Sequence, residues 1–323
     1  MAQAQRTVLQ MINQVQQELG LPVSLSIFGN TDPTTVQMLA LLQLANEELR
    51  DVNEDGWVVT QTEFNLVVNP PVITVGSTGL NSAVITGIPS TAGLSAQYWA
   101  VSGPYIPQAA RILSVDSPTQ ITMTMEATGP FVGGEIVFAQ DTYAMPPDLR
   151  YMQNNTWWDR TNRWQLLGPD SPQLDQWHRS GVVATGPRRH FRQLGPLANN
   201  YRIWPPPAEI VEPLQLVYEY ISLYTVATGG SQTAFTEQFT TDSDQPLLDA
   251  RALMMSLKWR FWEQKGLNWT MKKEEYDRFV ERLMARDGAS NTLSLVPRAT
   301  PYYLSPLNIQ DGFFPGPGNS NPV

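Results

Sequence analysis

Three consecutive prolines, Pro205-Pro206-Pro207, constrain the middle of this chain more than any other feature. They follow the run Tyr201-Arg202-Ile203-Trp204, whose aromatic and β-branched residues are typical of a strand. Proline fixes φ and has no backbone N–H, so three in a row cannot lie inside a helix or a central strand. We therefore expect the strand to end at Trp204 and the chain to turn away from its sheet there.

The stretch around these prolines, from Tyr143 to Tyr220, predicts a β-rich hub. It closes on Leu214-Gln215-Leu216-Val217-Tyr218-Glu219-Tyr220, which alternates as a strand does when one of its faces is covered. Between these ends stand aromatic residues in loop-rich sequence, namely Tyr151, Trp157, Trp158, Trp164 and Trp177. Such aromatics can line a sugar-binding groove or pack loops onto a β-rich body, and we favour packing.

Helical patterns precede and follow this hub. Apolar residues recur at helical spacing from Arg6 to Leu19, and Thr31-Asp32-Pro33 is a strong start for a second helix that runs to about Arg50. The middle of this second helix, 36–45, is apolar on nearly every face, which suits a helix packed on two sides. A neighbouring subunit is a candidate for one of those sides.

Two further helices are predicted near the end of the chain. One opens at Pro246 and carries two apolar stripes, the second of which includes Trp259 and Trp262. The other runs from Thr270 to Arg286, with a charged outer face. The fold class is therefore α+β, with a helical domain and a β-rich hub.

Residues 69–139 have a different sequence pattern. Short β-type runs are separated by turn residues at fairly even intervals, which predicts a small β-sandwich or barrel. Because strands of the hub stand on both sides, we expect this domain to be inserted into a hairpin. The main body, made of the helices and the β hub, would then be formed by residues 1–68 and 140–289. The predicted strands of the insert are Val72–Val75, Ala83–Thr86, Tyr98–Val101, Arg111–Val115, Gln120–Met125 and Glu135–Phe138.

Residues 290–323 contain too many prolines and glycines for regular structure, yet they keep aromatic side chains. Disordered tails are normally poor in aromatics. We therefore interpret the segment as an extended C-terminal arm that lies in grooves of another molecule, and a free tail with chance aromatics is the alternative. The aromatic residues that bear on this are Tyr302, Tyr303, Phe313 and Phe314.

The composition limits the possible partners. A net charge of −9 argues against a protein whose main task is to grip nucleic acid from outside. The one basic cluster includes Arg188, Arg189 and Arg192, and we expect it to meet acidic groups of a neighbouring subunit in preference to phosphate. No apolar run approaches membrane-spanning length and the start lacks the apolar core of a signal peptide, so we expect no membrane and synthesis in a cytoplasm.

The sequence contains no strong catalytic or metal-binding motif. It has no cysteine and only two histidines, His178 and His190, which do not have the spacing of a metal-ligand pair. The run Asp51-Val52-Asn53-Glu54-Asp55-Gly56 begins as a calcium loop does, but Glu63 falls one place late and a strand pattern follows. We expect no enzyme, no cofactor and no metal, although a distant glycosidase-type carboxylate pair stays open.

Two runs carry a resemblance to a known family. Tyr-x-Met-Pro-x-Asp-Leu at 143–149 and Tyr-Arg-Ile-Trp-Pro-x-Pro at 201–207, together with the order of the predicted elements, resemble the head-to-tail adaptor proteins of tailed bacteriophages. The order of elements covers most of residues 6–286, whereas the two runs are short.

This resemblance implies a structural virion protein of the neck. It would form a ring, with twelve copies in the family, that joins the portal protein to the tail and serves as a conduit for DNA without sequence recognition. Partners would include tail nozzle, tail tube or fibre proteins. The residues that we expect at the portal are Trp259, Trp262, Tyr302, Tyr303, Phe313 and Phe314.

Two other functions stay open at this point. The tryptophans are compatible with a carbohydrate-binding or tail fibre-like virion protein. An undetected carboxylate pair would make the chain a glycan hydrolase. The oligomeric state separates the first hypothesis from both of these.

Overall fold

The computed structural model describes residues 6–180, 189–194, 200–208 and 210–287. Within these residues five α-helices and a set of antiparallel sheets make a mixed α+β fold. The helices are α1 (Val8–Glu18), α2 (Pro33–Val52), α3 (Pro172–Arg179), α4 (Ala250–Gln264) and α5 (Thr270–Asp287). The strands are β1 (Gln61–Val68), β2 (Val72–Thr78), β3 (Val84–Ile85), β4 (Trp99–Ser102), β5 (Ile112–Ser117), β6 (Gln120–Met123), β7 (Phe131–Gln140), β8 (Thr142–Ala144), β9 (Leu149–Met152), β10 (Trp158–Asp159), β11 (Trp164–Gln165), β12 (His190–Gln193), β13 (Asn200–Trp204), β14 (Leu214–Ser222), β15 (Val226–Ala227), β16 (Phe235–Thr236) and β17 (Gln245–Pro246).

The helices α1, α2, α4 and α5 share one hydrophobic core, in which α4 lies at the centre. As predicted, α2 starts after Asp32, whose carboxylate accepts a hydrogen bond from the Thr35 amide at 2.9 Å. The predicted start of α4 at Pro246 is wrong. Pro246 pairs with Val226 in a small sheet, and Asp249 caps the helix by accepting from the amide of Ala252 at 2.9 Å.

The largest sheet is organised around β14. Strand β1 pairs along one edge of β14, while β9 and β10 pair along the other edge, and β11 pairs with β10. Trp157, which is 1% exposed, stacks on Tyr218 of β14 with ring centroids 4.0 Å apart and on Phe191 at 4.5 Å. The packing interpretation is therefore confirmed for Trp157.

Strand β13 lies between β8 and β12 in a second, three-stranded sheet. It ends at Trp204, immediately before Pro205, so the strand end that the prolines predict is confirmed. Trp204 itself pairs with His190 of β12. The proline run therefore places the end of β13 beside the start of β12.

Residues 72–140 form two more three-stranded sheets, β2-β7-β4 and β3-β6-β5. Their side chains enclose a separate cluster in which Phe138, Ile112 and Ile121 are fully buried. The expectation of an insertion into a hairpin is wrong, because the flanking strands do not pair with each other. Strand β1 pairs with β14, whereas β8 pairs with β13 of the other sheet.

A buried ion pair lies where residues 72–140 join the rest of the chain. Arg111, just before β5, is 7% exposed and donates to Asp141, which is 2% exposed. The same guanidinium donates to the Thr142 hydroxyl at 2.7 Å, and Arg202 Nε lies 4.0 Å from Asp141 Oδ2. Burial raises the pKa of Asp141 above its ordinary value, and Arg111 and Arg202 oppose that rise.

Hydrogen bonds to Asp244 hold the segment between β14 and α4 in place. Asp244 is fully buried and accepts from the backbone amides of Gly229, Thr240 and Thr241 at 2.9, 2.6 and 2.8 Å. Although its burial works in the opposite direction, these bonds and one from the Thr241 hydroxyl lower the pKa of Asp244 to about 2. Its backbone carbonyl accepts from Val8 at 2.9 Å, which fixes the start of α1.

No helix in the described part of the chain is both long enough and apolar enough to cross a membrane.

Candidate partner-binding surface

An apolar stripe on α2 faces solvent. Val36, Ala40 and Leu44 recur every four residues and therefore lie on one side of the helix. Val36 is 49% exposed and Leu44 is 41% exposed. The opposite side of α2, which includes Met38 and Leu42, is fully buried in the helical core. We call Val36, Ala40 and Leu44 the α2 stripe.

The α2 stripe is bordered by charged groups. Glu48 lies one turn beyond Leu44 and forms an ion pair with Arg260 of α4. Arg260 is 6% exposed and lies over the ring of Trp259 at 4.4 Å. The stripe is thus a narrow apolar surface whose charged edge is held by contacts within the chain.

Both sides of α4, in contrast, are covered by this same chain. Trp259 is only 7% exposed, and its ring lies 5.9 Å from Trp269 and 6.4 Å from Tyr276 of α5. The portal contact expected of Trp259 stays a prediction, and the structure shows that its own chain already covers most of this side chain. Helix α5 packs on α4 on the side of Trp259.

Trp262 lies at the edge of the helical core and is partly exposed. Together with Met271, Lys272 and Arg278 it lines a surface groove between the end of α4 and the start of α5. Met271 is 78% exposed, so an apolar side chain projects at this groove. Trp262 therefore stays a candidate for a partner contact.

The described arginines of the basic cluster form ion pairs with acidic residues of the same chain. Arg192 of β12 binds Asp175 of α3, and Arg189 Nη1 lies 3.8 Å from Asp159 Oδ2. Asp175 and Asp159 are each 3% exposed. The contact of Arg189 and Arg192 with a neighbouring subunit stays a prediction, and the structure adds that acids of the same chain already lie beside both. The physical reason is that Asp175 of α3 and Asp159 of β10, which are distant in sequence from the arginines, lie within 4 Å of them in the fold.

Two acids that a calcium loop would use, Asp51 of the run and Glu63 after it, have arginine partners. Asp51 Oδ1 lies 3.0 Å from Arg50 and 3.1 Å from Arg150, while Glu63 lies 2.6 Å from Arg160. Asp51 belongs to the last turn of α2 and Glu63 to β1. In the described ranges, these acids form no group with the spacing of metal ligands.

The two histidines, which the sequence does not mark as a pair, lie side by side. The ring centroids of His178 and His190 are 4.6 Å apart, and Asp170 lies next to both. Helix α3, which carries His178, is missing from the sequence-based prediction. The pair Ser171-Pro172 was the signal for it, because Ser171 caps the helix and proline occupies its first turn.

No protein-family model matches the chain, and no curated protein matches it. The adaptor resemblance is thus carried by the two runs of residues quoted above and by the order of the elements.

Several predicted site residues lie outside the described part of the chain. They are Arg188, Tyr302, Tyr303, Phe313 and Phe314. Two tryptophans of the hub are described and differ from Trp157, since Trp164 is 42% exposed and Trp177 is 52% exposed. For these two the packing interpretation is wrong, because their rings project from short surface elements.

Proposed function

We propose that this protein is a structural virion component that forms a ring between the portal and the tail of a phage and lets DNA pass. The observation that carries the proposal is the α2 stripe. Val36, Ala40 and Leu44 expose adjacent apolar side chains on a helix whose other face is already buried. In a ring, the neighbouring copy of this chain would cover the α2 stripe of each subunit.

Ring assembly explains why such a surface is kept. Isolated exposed apolar residues are normal, but a row of them on one helix costs solubility unless a partner covers it. In a closed ring one subunit surface is used repeatedly against a different surface of its neighbour. The stripe then forms the apolar centre of an interface, and Glu48, which the buried Arg260 holds in place, belongs to its polar rim.

The charge of the chain supports the conduit. With a net charge of −9 per copy, a lumen lined by this protein repels the phosphates of DNA. Binding to the wall would slow the passage of the genome. A conduit for DNA therefore needs a lumen that binds DNA weakly, and a negatively charged lumen has this property.

A second candidate, a carbohydrate-binding or fibre-like virion protein, has one observation in its favour. A cavity of about 710 Å³ lies between residues 100–110 and the hub, and Trp164, Trp204, Asn162 and Gln108 line it. An exposed indole next to amide side chains is a surface on which a sugar ring can stack.

Mass photometry of wild type and two matched variants separates the candidates. Leu44→Asp places a charge in the α2 stripe, and Leu113→Asp, at a residue 51% exposed on β5, is the control. We expect wild type, alone or with the portal protein of the same virus, to form particles of about 430 kDa, twelve times 36.1 kDa. Leu44→Asp should stay at the mass of one chain with an unchanged melting temperature, while Leu113→Asp should assemble.

Two results would overturn the proposal. One is a wild-type protein that stays monomeric with the portal protein present. The other is a Leu44→Asp variant that assembles as wild type does. Glycan binding that is lost in Trp164→Ala would instead favour the second candidate.

A further inference from the structure

Both histidines of the chain meet one buried carboxylate. Asp170 precedes α3, His178 lies in the last turn of α3, and His190 opens β12. His190 Nδ1 is 3.3 Å from Asp170 Oδ1, and His178 Nε2 is 3.9 Å from Asp170 Oδ2. The potential ligand atoms of the three side chains all lie within 4.8 Å of one another.

The backbone holds this cluster in place. The segment before α3 runs beside β12, where the amide of Phe191 donates to the Leu167 carbonyl at 2.9 Å. The amide of Asp170 donates to the Phe191 carbonyl at 2.8 Å, so Asp170 is fixed next to His190. Gly168 permits the close approach. Its φ is +145°, and a Cβ there would lie 2.5 Å from the Phe191 carbonyl oxygen.

His178 presents a buried polar group that the described protein atoms leave unsatisfied. The residue is 7% exposed, and neither of its ring nitrogens has a hydrogen-bond partner among the described residues. Buried polar side chains nearly always have a partner, and one left without a partner destabilises the fold. An ion bound to His178 Nε2 would remove part of this destabilisation.

The distances suit a small divalent ion. Zinc binds imidazole nitrogen and carboxylate oxygen at about 2.0–2.2 Å, so two ligands of a tetrahedral site lie about 3.3 Å apart. The distance from His190 Nδ1 to Asp170 Oδ1 has this value, and the distance from His178 Nε2 to the other oxygen, Asp170 Oδ2, exceeds it by 0.6 Å, the difference between 3.9 and 3.3 Å.

Helix α3 has few apolar contacts of its own to hold it. Within α3, only Asp175 and His178 are buried, whereas Leu174 is 37% exposed and Trp177 is 52% exposed. The helix is therefore attached to the hub through polar groups. A metal ion that joins His178 to Asp170 and His190 would fasten α3 to β12.

We propose that Asp170, His178 and His190 bind one divalent transition-metal ion of the zinc class. Two imidazoles and a carboxylate are a ligand set that zinc and related ions accept, and three protein ligands leave a position for water. The ion has a structural role, because it links a helix with little apolar burial to the sheet below it. This site is separate from the α2 stripe and does not depend on ring formation.

The test uses the full chain, purified without a polyhistidine tag and stripped of metal with a chelator. Zinc is titrated in competition with a chromophoric chelator, and cobalt is added separately to observe its visible absorption. We expect one equivalent of zinc per chain, a higher melting temperature with zinc, and a cobalt spectrum of low coordination number. His178→Ala, His190→Ala and Asp170→Asn should each weaken zinc binding by at least about tenfold.

Asp116→Asn is the matched control, because Asp116 is an exposed aspartate on β5 remote in sequence from the cluster. It should bind zinc as wild type does. Equal binding by His178→Ala and wild type, or no binding at one equivalent of zinc, would refute the site.

A second measurement is independent of whether the variants fold. Since the chain has only two histidines, their imidazole nitrogens give few signals in nitrogen NMR spectra. Zinc should shift one ring nitrogen of each histidine. If zinc leaves both histidines unchanged, the proposal is wrong and the cluster is held by hydrogen bonds with Asp170.

Discussion

Removing the guanidinium of Arg111 should destabilise the protein strongly, because it would leave a buried carboxylate without its main partner. Asp141 is 2% exposed and accepts from Arg111, and the remaining cation, Arg202, is 4.0 Å away. Arg111→Met preserves most of the aliphatic volume and removes the charge. The variant therefore isolates the ion pair from the packing around it.

The size of the effect follows from the burial of both partners. Breaking a buried ion pair from one side costs about 3–5 kcal/mol, since the other charge is left uncompensated. Arg111→Met also removes a bond to the Thr142 hydroxyl, which is 2.7 Å from the guanidinium. Asp141→Asn on its own should cost less, because Arg111 keeps neutral acceptors. The double variant should be more stable than the sum of the two single effects predicts.

The stability that Arg111→Met loses should also depend on pH. Burial raises the pKa of Asp141 in the folded protein, and loss of Arg111 raises that pKa further. Between the unfolded pKa, about 3.9, and the folded pKa, the folded state binds more protons, so stability falls as pH rises. The penalty of Arg111→Met should therefore be smallest below about pH 4 and grow toward neutral pH.

Urea denaturation of wild type, both single variants and the double variant at pH 7 and near pH 4 measures these free energies of unfolding. A penalty for Arg111→Met below about 1 kcal/mol at pH 7 would show that Asp141 is not held as a buried charge. A penalty that is larger at pH 4 than at pH 7 would contradict the assigned direction of the pKa shift.

Two further predictions concern the core and a buried aspartate. Trp157→Ala should lower the free energy of unfolding by about 3–5 kcal/mol in urea denaturation, because the stacked indole is 1% exposed. Trp177→Ala, at 52% exposure, is the control and should change it by less than about 0.5 kcal/mol; equal effects would contradict the assigned packing. Asp244→Asn should cost about 2 kcal/mol at pH 7, because amides lose a charged acceptor. Since the folded pKa of Asp244 is about 2, the stability difference between wild type and Asp244→Asn should disappear as pH falls from about 4 through 2. Acid titrations of both proteins, followed by circular dichroism, measure this difference. A difference that stays constant with pH would contradict the lowered pKa.

Features that depend on neighbouring residues were predicted well. The start of α2 follows from Asp32 and Pro33, since a cap and a first-turn proline act within four residues. The end of β13 at Trp204 follows from the prolines, whose backbone restrictions act at their own positions. The strands of residues 72–140 likewise follow from local alternation and turn residues.

What covers each face was not predictable, because periodicity shows that a face is apolar and does not name its partner. Trp259 and Trp262 in the second stripe of α4 suggested a contact with the portal protein, yet α5 covers Trp259. The middle of α2 had the same pattern, and there the side with Val36 and Leu44 stays exposed. Only the packing of the helices distinguishes these two cases.

The amino-acid sequence by itself determined the α+β class, most helix and strand positions and the excess of acidic charge, since these depend on residue type and on spacing within one element. The tertiary structure decided which charges are paired and which ligands meet. Arg192 finds Asp175, and His178 joins His190 beside Asp170, because separate elements converge at the start of β12. The spacing of these residues along the chain does not determine that convergence, which arises from the packing of α3 and its preceding segment on the sheet.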